Sequence, residues 1–336
     1  MPIQTGLLAY GMSGRIFHAP FLAAHPGFAL RAGVERSRKQ LQGAYPASVS
    51  YDSVAELLRD PALELIVVNT PNDTHYELAR EALWAGKHVL IEKPVGTAVA
   101  QLNALYALAR ETDRQVFGYQ NRRWDSDFLA VRQVLDGGQL GQLTEAHFRY
   151  DRYKPAIHTK RFKEEPATPG SGLLHDLGPH LLDQALSLFG RPVEVRKTLG
   201  SFRPGSQVDD YFQLHLSYPG GLNVYLTSSL LVADPGPAFV LHGTRGSFRQ
   251  ARTDVQEAQL DRGLSPLDAA YGQPPAEAAG TLTEMSETGE KTVTAVGPPR
   301  GDYMSLFEAV YQALRRGQPY PVREEELRWQ LEVLEA

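Results

Sequence analysis

Cysteine is absent from the 336-residue chain, which excludes disulfide bonds, thiolate catalysis and cysteine-ligated zinc. The chain also lacks an uninterrupted apolar run of the ~18 residues that a membrane-spanning helix needs, so we expect no membrane partner. Its start, Met1–Thr5, shows no basic segment followed by an apolar one. We therefore expect no signal peptide and a cytoplasmic protein.

The chain also lacks a large excess of positive or negative charge, because its formal net charge is only −5 at pH 7. Such a balance gives no bulk attraction to nucleic acid, and we expect no nucleic-acid partner. The hydrophobic fraction of 42% and the charged fraction of 22% are typical of a globular protein. Because domains usually contain ~100–200 residues, the length favours two domains.

The first third of the sequence alternates between strand-like and helix-like segments. Apolar strands are predicted at 3–9, 28–35, 63–70, 88–92 and 115–119, and helices at 53–59, 74–85 and 98–110. Near-continuous apolar strands separated by helices are typical of a parallel sheet covered on both faces. Residues 1–120 are therefore predicted to form a Rossmann domain with a doubly wound parallel sheet.

The pattern changes near residue 120. Strands are predicted at 143–153, 193–202, 211–218, 222–231 and 239–243, helices at 124–135, 303–316 and 324–334, and a surface excursion at 261–280. Long strands separated by Pro-Gly and Gly-Gly turns indicate antiparallel pairing. We predict that residues 121–336 form an α+β domain. It has a large, mainly antiparallel open sheet, and its last helix could pack back on the first domain.

A glycine-containing turn follows the first predicted strand and opens a helix, with the pattern Ala9-x-Gly11-x-x-Gly14. The dinucleotide fingerprint has glycine at all three positions, so Ala9 is a departure from it. Gly11 could let the backbone approach a pyrophosphate at the helix N-terminus, and Gly14 could let the helix pack closely on the strand. The alternative is a strand–turn–helix in which the glycines serve geometry alone.

The residues after the second strand bear on the choice of cofactor. Glu35 could accept hydrogen bonds from a ribose hydroxyl, which favours NAD. Arg36, Ser37 and Arg38 follow at once and could bind the 2′-phosphate of NADP. Each could equally be a solvated residue at a strand end. The sequence leaves NAD versus NADP open.

Candidate catalytic groups occur at two further places. Lys93, in Glu92-Lys93-Pro94, follows the fifth strand at the sheet edge where doubly wound folds bind ligands, although a plain surface lysine is the simpler interpretation. Pro179 predicts a helix that begins there and places His180 in its first turn. A helix N-terminus disfavours the imidazolium, which would leave His180 a usable base. A capping Asp176 and a packed histidine are the alternative.

Five segments in order carry a resemblance to a known family: GMSGRIFHAP (11–20), Thr70-Pro71 with His75, AGKHVLIEKP (85–94), NRRWDSDFL (121–129) and LHDLGPHLLDQ (174–184). Each segment is weak alone, but the ordered set resembles the Gfo/Idh/MocA oxidoreductases over essentially the whole chain. Residues 17–20 and 121–125 look most like the branch containing NADP-dependent scyllo-inositol dehydrogenases.

The resemblance implies NAD(P)-dependent, reversible hydride transfer to and from a secondary alcohol of a cyclic polyol or sugar, with Lys93, Asp176 and His180 as catalytic residues. It also implies a cis bond between Lys93 and Pro94. The cofactor residues predicted from the motifs are Gly11, Met12, Ser13, Gly14, Glu35, Arg36, Ser37, Arg38, Thr70, Pro71, Asn72, His75, Glu92, Lys93 and Asn121. The predicted substrate residues are Lys93, Arg123, Tyr153, Arg161, His175, Asp176 and His180. Arg123 could instead pin the helix that opens the second domain, and we favour that structural role slightly.

The sequence departs from the family pattern at Ala9, at Glu35, at His175, where close relatives have tyrosine, and at Phe162, where tryptophan is common. The resemblance leaves other functions open: a nicotinamide-binding regulator without catalysis, a redox-assisted glycosidase, or a reductase of another carbonyl. It implies a homodimer or homotetramer through the C-terminal sheet. No metal site is expected, because no clean ligand spacing is present.

Overall fold

The computed structural model describes residues 1–37, 39–157 and 164–335. Two compact units share the chain, and the first consists of Met1–Asn121, Gln256–Tyr271 and Asp302–Glu335. The second consists of Arg122–Val255 and Gly272–Gly301. The chain thus leaves the first unit and returns to it twice. The domain boundary after residue 120 stays a prediction.

The sheet of the first unit has six strands: β1 (Ile3–Leu7), β2 (Phe28–Val34), β3 (Val49–Tyr51), β4 (Leu65–Val68), β5 (His88–Ile91) and β6 (Val116–Gly118). All neighbours are parallel, in the order β3-β2-β1-β4-β5-β6. Every residue of β4 is buried, which explains its unbroken apolar sequence. The predicted Rossmann sheet is confirmed, and the short strand β3 is an addition to it.

The connections of the first unit are helical. A π-helical turn at Gly14–His18 leads into α1 (Ala19–Ala24), and further helices are α2 (Leu41–Ala44), α3 (Val54–Leu58), α4 (His75–Trp84) and α5 (Val99–Glu111). Helix α3 begins where the Ser53 side chain accepts a hydrogen bond from the Glu56 amide at 3.2 Å. Helix α5 buries its leucines at three-residue spacing, as the sequence periodicity predicts.

The second unit contains helices α6 (Ser126–Asp136) and α7 (Gly172–Phe189) and an eight-stranded sheet: β7 (Leu143–Arg149), β8 (Glu194–Gly200), β9 (Tyr211–Ser217), β10 (Asn223–Ser229), β11 (Phe239–Gly243), β12 (Gly246–Gln250), β13 (Gly280–Met285) and β14 (Lys291–Val296). The strand order is β14-β13-β12-β11-β7-β10-β9-β8. Strands β7 and β10 are parallel and the other neighbours antiparallel, which confirms the predicted fold class.

This second sheet is buried on one face. Along β9, Phe212, Leu214 and Leu216 are buried while the residues between them are half-buried. Helix α7 packs against β9 and β10, and it buries most of its own residues. The alternation of the strands therefore marks the side that faces the helix.

Helix α7 corrects one prediction. We expected a helix to begin at Pro179, but α7 begins at Gly172 and contains Pro179 in its interior. Asp209, distant in sequence, starts the helix: its carboxylate accepts from the Leu174 amide at 2.6 Å, and its carbonyl accepts from the Leu173 amide at 2.9 Å. Pro179 removes one backbone donor, and the extensive burial of α7 offsets that loss.

The returning segments carry α8 (Gln256–Asp261), α9 (Met304–Arg316) and α10 (Glu324–Glu335) of the first unit. We expected residues 261–280 to form a long excursion on the surface, and this is wrong at Tyr271. Its side chain is 2% exposed, and its hydroxyl donates a hydrogen bond to Gln256 at 2.9 Å. Phe307 of α9 stacks on Phe21 of α1, with ring centroids 5.1 Å apart. The two helices predicted at the end of the sequence are confirmed, and they complete the core of the first unit.

Candidate cofactor and active-site residues

A cleft of about 970 Å³ lies at the carboxyl ends of β1, β2 and β4 in the first unit. Strand order reverses between β1 and β4, and doubly wound folds bind ligands at such a point. Predicted cofactor residues that line the cleft are Gly11, Met12, Glu35, Arg36, Ser37, Thr70 and Pro71. Tyr10, Arg15 and Asp73 also line it, although the fingerprint gave no reason to single them out.

The glycine turn has the shape that a dinucleotide requires. A Cβ added at Gly11 would meet no atom within 4 Å, so the backbone there faces open space that a phosphate could fill. A Cβ added at Gly14 would lie 2.3 Å from the Ala9 carbonyl oxygen, so only glycine fits. The turn therefore fits a bound dinucleotide, with Ala9 at its first position.

Asn69 supports this turn and was missed by sequence analysis. Its side-chain oxygen accepts from the Ala9 amide at 3.0 Å, and its nitrogen donates to the Ala9 carbonyl at 2.8 Å. The available signal was a polar residue at the end of the apolar strand β4. Asn69 thereby couples the end of β4 to the glycine turn after β1.

Glu35 holds the backbone of its own unit. Its carboxylate accepts from the amides of Gln40 at 2.8 Å and Leu41 at 3.1 Å and from the Ser50 hydroxyl at 2.7 Å. The residue is 7% exposed. Three donors therefore occupy the carboxylate predicted to accept from a ribose. Arg36 and Ser37 are exposed beside it, whereas Arg38 lies outside the described residues.

Glu92 connects the glycine turn to the Lys93 segment. Its Oε1 atom accepts from the Ser13 hydroxyl at 2.8 Å and lies 2.9 Å from His18 Nε2. Burial raises the pKa of the Glu92 carboxyl, but hydrogen bonds from His18 and Ser13 and the charges of His18 and Lys93 outweigh burial and lower it to about 2. Glu92 is therefore a carboxylate at neutral pH.

Lys93 is half-buried, and the Lys93–Pro94 peptide is cis, as the resemblance implied. His75, the first residue of α4, is fully buried. Its ring nitrogens lie 2.7 Å from the Pro94 carbonyl oxygen and 2.9 Å from the Thr70 carbonyl oxygen. These contacts join the ends of β4 and β5.

The remaining predicted cofactor residues lie in two short 3-10 turns. Asn72 begins the turn Asn72–Thr74 after β4 and is half-buried. Asn121 begins the turn Asn121–Trp124 after β6 and is 4% exposed. Both follow strands of the parallel sheet at its carboxyl edge.

In the second unit, Asp176 and His180 both lie on α7, four residues apart, so their side chains share one face of the helix. Asp176 is half-buried and lines a polar pocket of about 90 Å³ with Arg152, Lys154 and Asp209. His180 is 7% exposed. Because α7 begins at Gly172, the expectation that His180 occupies a first turn and is influenced by the helix N-terminus is wrong.

The other predicted substrate residues have varied surroundings. Burial lowers the pKa of His175, which is half-buried on α7. The Arg123 guanidinium binds the Asp183 carboxylate through two hydrogen bonds of 2.8 and 2.7 Å, and both residues are buried. Tyr153 is 60% exposed and forms an isolated bridge with Leu231. Arg161 lies outside the described residues.

Within residues 1–37, 39–157 and 164–335, no group of three or more histidine, aspartate or glutamate residues could hold a metal ion. No helix there is both long enough and apolar enough to cross a bilayer.

Residues 3–120 match a family described as "Oxidoreductase family, NAD-binding Rossmann fold", and residues 128–249 match the GFO/IDH/MocA C-terminal domain. The chain belongs to the GFO/IDH/MocA oxidoreductase family. This confirms the resemblance seen in the sequence motifs and the expectation of a nicotinamide cofactor.

Similar proteins within the GFO/IDH/MocA family span nearly the whole chain. The uncharacterized oxidoreductase YdgJ of Escherichia coli is 37% identical over 95% of this chain and 91% of its own. The scyllo-inositol 2-dehydrogenase (NADP(+)) IolW of Bacillus subtilis is 33% identical over 96% of this chain and 89% of its own. The crystal structure of a putative oxidoreductase from Bacteroides fragilis superposes with a TM-score of 0.90 at 38% identity, covering 100% of this chain and 96% of that one.

Proposed function

We propose that this oxidoreductase transfers hydride reversibly between a nicotinamide cofactor and a secondary alcohol of a cyclic polyol or sugar. The observation that carries the proposal is the lysine after β5: Lys93 lies at the carboxyl edge of the parallel sheet, and its neighbour Glu92 accepts a hydrogen bond from Ser13 of the glycine turn. A relative named as a scyllo-inositol dehydrogenase supports an inositol-like substrate.

Each catalytic residue has a role that follows from its chemistry. A bound nicotinamide supplies the carbon that accepts or donates hydride. The Lys93 ammonium donates a hydrogen bond to the substrate oxygen and stabilises its developing negative charge. His180 accepts the hydroxyl proton in oxidation and returns it in reduction. Asp176, four residues before His180 on α7, accepts hydrogen bonds from substrate hydroxyls and orients the ring.

A substrate panel with two variants tests this proposal. Inositols and aldoses are offered with NAD⁺ and with NADP⁺, and the absorbance of the reduced cofactor is followed. For the substrate turned over, Lys93→Ala and His180→Ala should each lower kcat by about 10²–10⁴-fold. Lys291→Ala, at an exposed position of β14, is the control and should retain wild-type kcat.

Near-wild-type kcat in both variants would remove these residues from the mechanism. Cofactor binding without turnover of any alcohol would favour a nicotinamide-binding regulator. Turnover limited to another class of carbonyl would favour a different reductase.

We further propose that the preferred cofactor is NADP. The Glu35 carboxylate is occupied by Gln40, Leu41 and Ser50, which removes the acceptor that favours NAD. Arg36 and Ser37 are exposed in the cleft and can donate hydrogen bonds to a 2′-phosphate.

Direct binding measurements test the cofactor preference. NADPH should bind more tightly than NADH, and Arg36→Ala should weaken NADPH about 10–100-fold while leaving NADH nearly unchanged, because one charge-assisted hydrogen bond is lost. Arg59→Ala, at an exposed position after α3, is the matched control. Tighter binding of NADH by the wild-type protein would overturn the assignment.

We also propose that the chain forms a homodimer or homotetramer through the sheet of the second unit. One face of that sheet packs on α7, and on the other face Tyr225 stacks between His147 and His215, at centroid distances of 4.9 and 4.6 Å. Aromatic residues are enriched at subunit interfaces. Light scattering should give a mass near two or four times 37.1 kDa, and a monomer at micromolar concentration would contradict the proposal.

A further inference from the structure

His75 is buried between two backbone carbonyl groups. Nδ1 lies 2.7 Å from the Pro94 oxygen and Nε2 lies 2.9 Å from the Thr70 oxygen. Both distances are those of normal hydrogen bonds. The side chain is 0% exposed, so bulk water does not compete for either nitrogen.

Both partners of the ring can only accept hydrogen bonds. A neutral imidazole has one N–H and one lone pair, so either neutral tautomer would point a lone pair at one of the two oxygens. That contact would be repulsive, and it would leave a buried carbonyl without its donor. Only the ring that carries both protons satisfies Pro94 and Thr70 together.

The surrounding charges bear on that protonated ring. The pKa of His75 is lowered from its ordinary value, with burial the largest cause and the Lys93 charge acting in the same direction. The carbonyl groups of Pro94 and Thr70 and the Glu92 carboxylate oppose that shift. Glu92 is ionised at neutral pH, and its negative charge favours a protonated ring. The contacts to the two carbonyl groups require a protonated ring in spite of its burial, because no neutral ring can donate to both.

We propose that His75 is a positioning residue for Lys93, acting as a doubly protonated ring that ties the Pro94 carbonyl to the Thr70 carbonyl. The cis peptide that carries Lys93 at the end of β5 is thereby fixed to the end of β4, where Thr70 and Pro71 line the cofactor cleft. Loss of one ring proton releases one carbonyl and loosens the turn that carries Lys93. The protonation state of His75 is inferred from its two carbonyl contacts alone, whereas its role in positioning Lys93 rests on the proposed function.

Nitrogen-15 NMR of the full chain, labelled at its 10 histidines, tests the protonation state without any assay of activity. The His75 signals are assigned by their loss in His75→Gln. If that variant does not fold, the other histidines are substituted one at a time, as in His242→Gln. The His75 signals are then the ones that none of these variants loses. We expect both ring nitrogens of His75 to be protonated at pH 7. A non-protonated nitrogen at pH 7 would overturn the proposal.

Kinetics and direct binding test the positioning role. His75→Gln keeps a donor for one carbonyl only, so kcat should fall by about 10–100-fold because Lys93 is displaced. The dissociation constant of NADPH, measured by titration, should stay near its wild-type value. His88→Gln, at the opposite end of β5, is the control and should retain wild-type kcat.

A weakened NADPH complex with unchanged kcat would instead make His75 a cofactor contact and overturn the positioning role. Failure of the proposed function is distinguishable from both outcomes. In that case the wild-type protein turns over no polyol, while the NMR result on His75 still stands.

Discussion

The two units hold their charged side chains in different ways. In the first unit, Arg36 and Lys93 follow β2 and β5 at the carboxyl edge of the sheet, where they are exposed or half-buried. In the second unit, Arg123 is buried in a pair with Asp183, and Arg203 is buried between Asp210 and Glu164. At a strand end of the first unit a charged side chain such as Arg36 can line the cleft, whereas Arg123 and Arg203 of the second unit are paired within the framework.

Sheet topology explains this difference. In a parallel sheet all carboxyl ends meet at one edge, so residues far apart in sequence gather there. In the antiparallel sheet of the second unit, strand ends alternate between two edges. Buried charges such as Arg123 and Arg203 lie in ion pairs, and pairing offsets part of the cost of leaving water. An arginine of the second unit therefore cannot be assigned to the substrate from its motif alone.

The largest effect is expected from breaking the Arg123–Asp183 pair. Arg123→Ala leaves a buried carboxylate without its partner and should lower the free energy of unfolding by about 3–5 kcal/mol. Denaturant titration measures the loss. Arg196→Ala, which breaks an exposed pair with Glu194, is the control and should cost less than about 1 kcal/mol. Unchanged stability with reduced kcat in Arg123→Ala would instead make Arg123 a substrate residue.

A smaller, pH-dependent effect is expected at Glu92. The folded-state pKa of about 2 lies below the ordinary value of 4.5, so the ionised form stabilises the fold above pH 4.5. Glu92→Gln should lower the free energy of unfolding by about 3 kcal/mol at pH 7, since one pKa unit corresponds to about 1.4 kcal/mol. The difference from wild type should shrink as the pH falls from 4.5 towards 2. The expectation would be contradicted if denaturant titrations gave the same difference in unfolding free energy over that whole pH range.

The smallest effect is expected in the glycine turn, where two positions give opposite outcomes. Gly14→Ala places a methyl group against the Ala9 carbonyl and should destabilise the protein by about 1–3 kcal/mol. Gly11→Ala meets no atom, so its stability should change by less than about 0.5 kcal/mol while NADPH binding weakens. Thermal unfolding with and without NADPH separates the two. Equal destabilisation by both would contradict this description of the turn.

The first unit was largely predictable from sequence because its signals are local. The apolar run of β4 and the glycines after β1 each reflect burial or backbone geometry within a few residues. The same locality placed Glu35 at a strand end but could not reveal its bonds to Gln40, Leu41 and Ser50. Those partners depend on how the following loop folds back.

The second unit shows where local signals fail. Pro179 predicts a helix start when only its neighbours are considered, yet Asp209 starts α7 from a segment distant in sequence. The ion pair of Arg123 with Asp183 could not be predicted, because nothing near Arg123 in sequence identifies Asp183 as its partner. Asn69 was missed for a similar reason, since its partner Ala9 lies on another strand. Each of these contacts joins segments that are distant in sequence.

The return of the chain to its first unit affects the order of events during synthesis. The six parallel strands end at Gly118, but Phe307, which stacks on Phe21, is translated much later. A nascent chain that stops near residue 120 therefore exposes the apolar surface that α9 covers. The parallel sheet is made first and covered last, so an isolated fragment of residues 1–120 should aggregate more readily than the 336-residue chain.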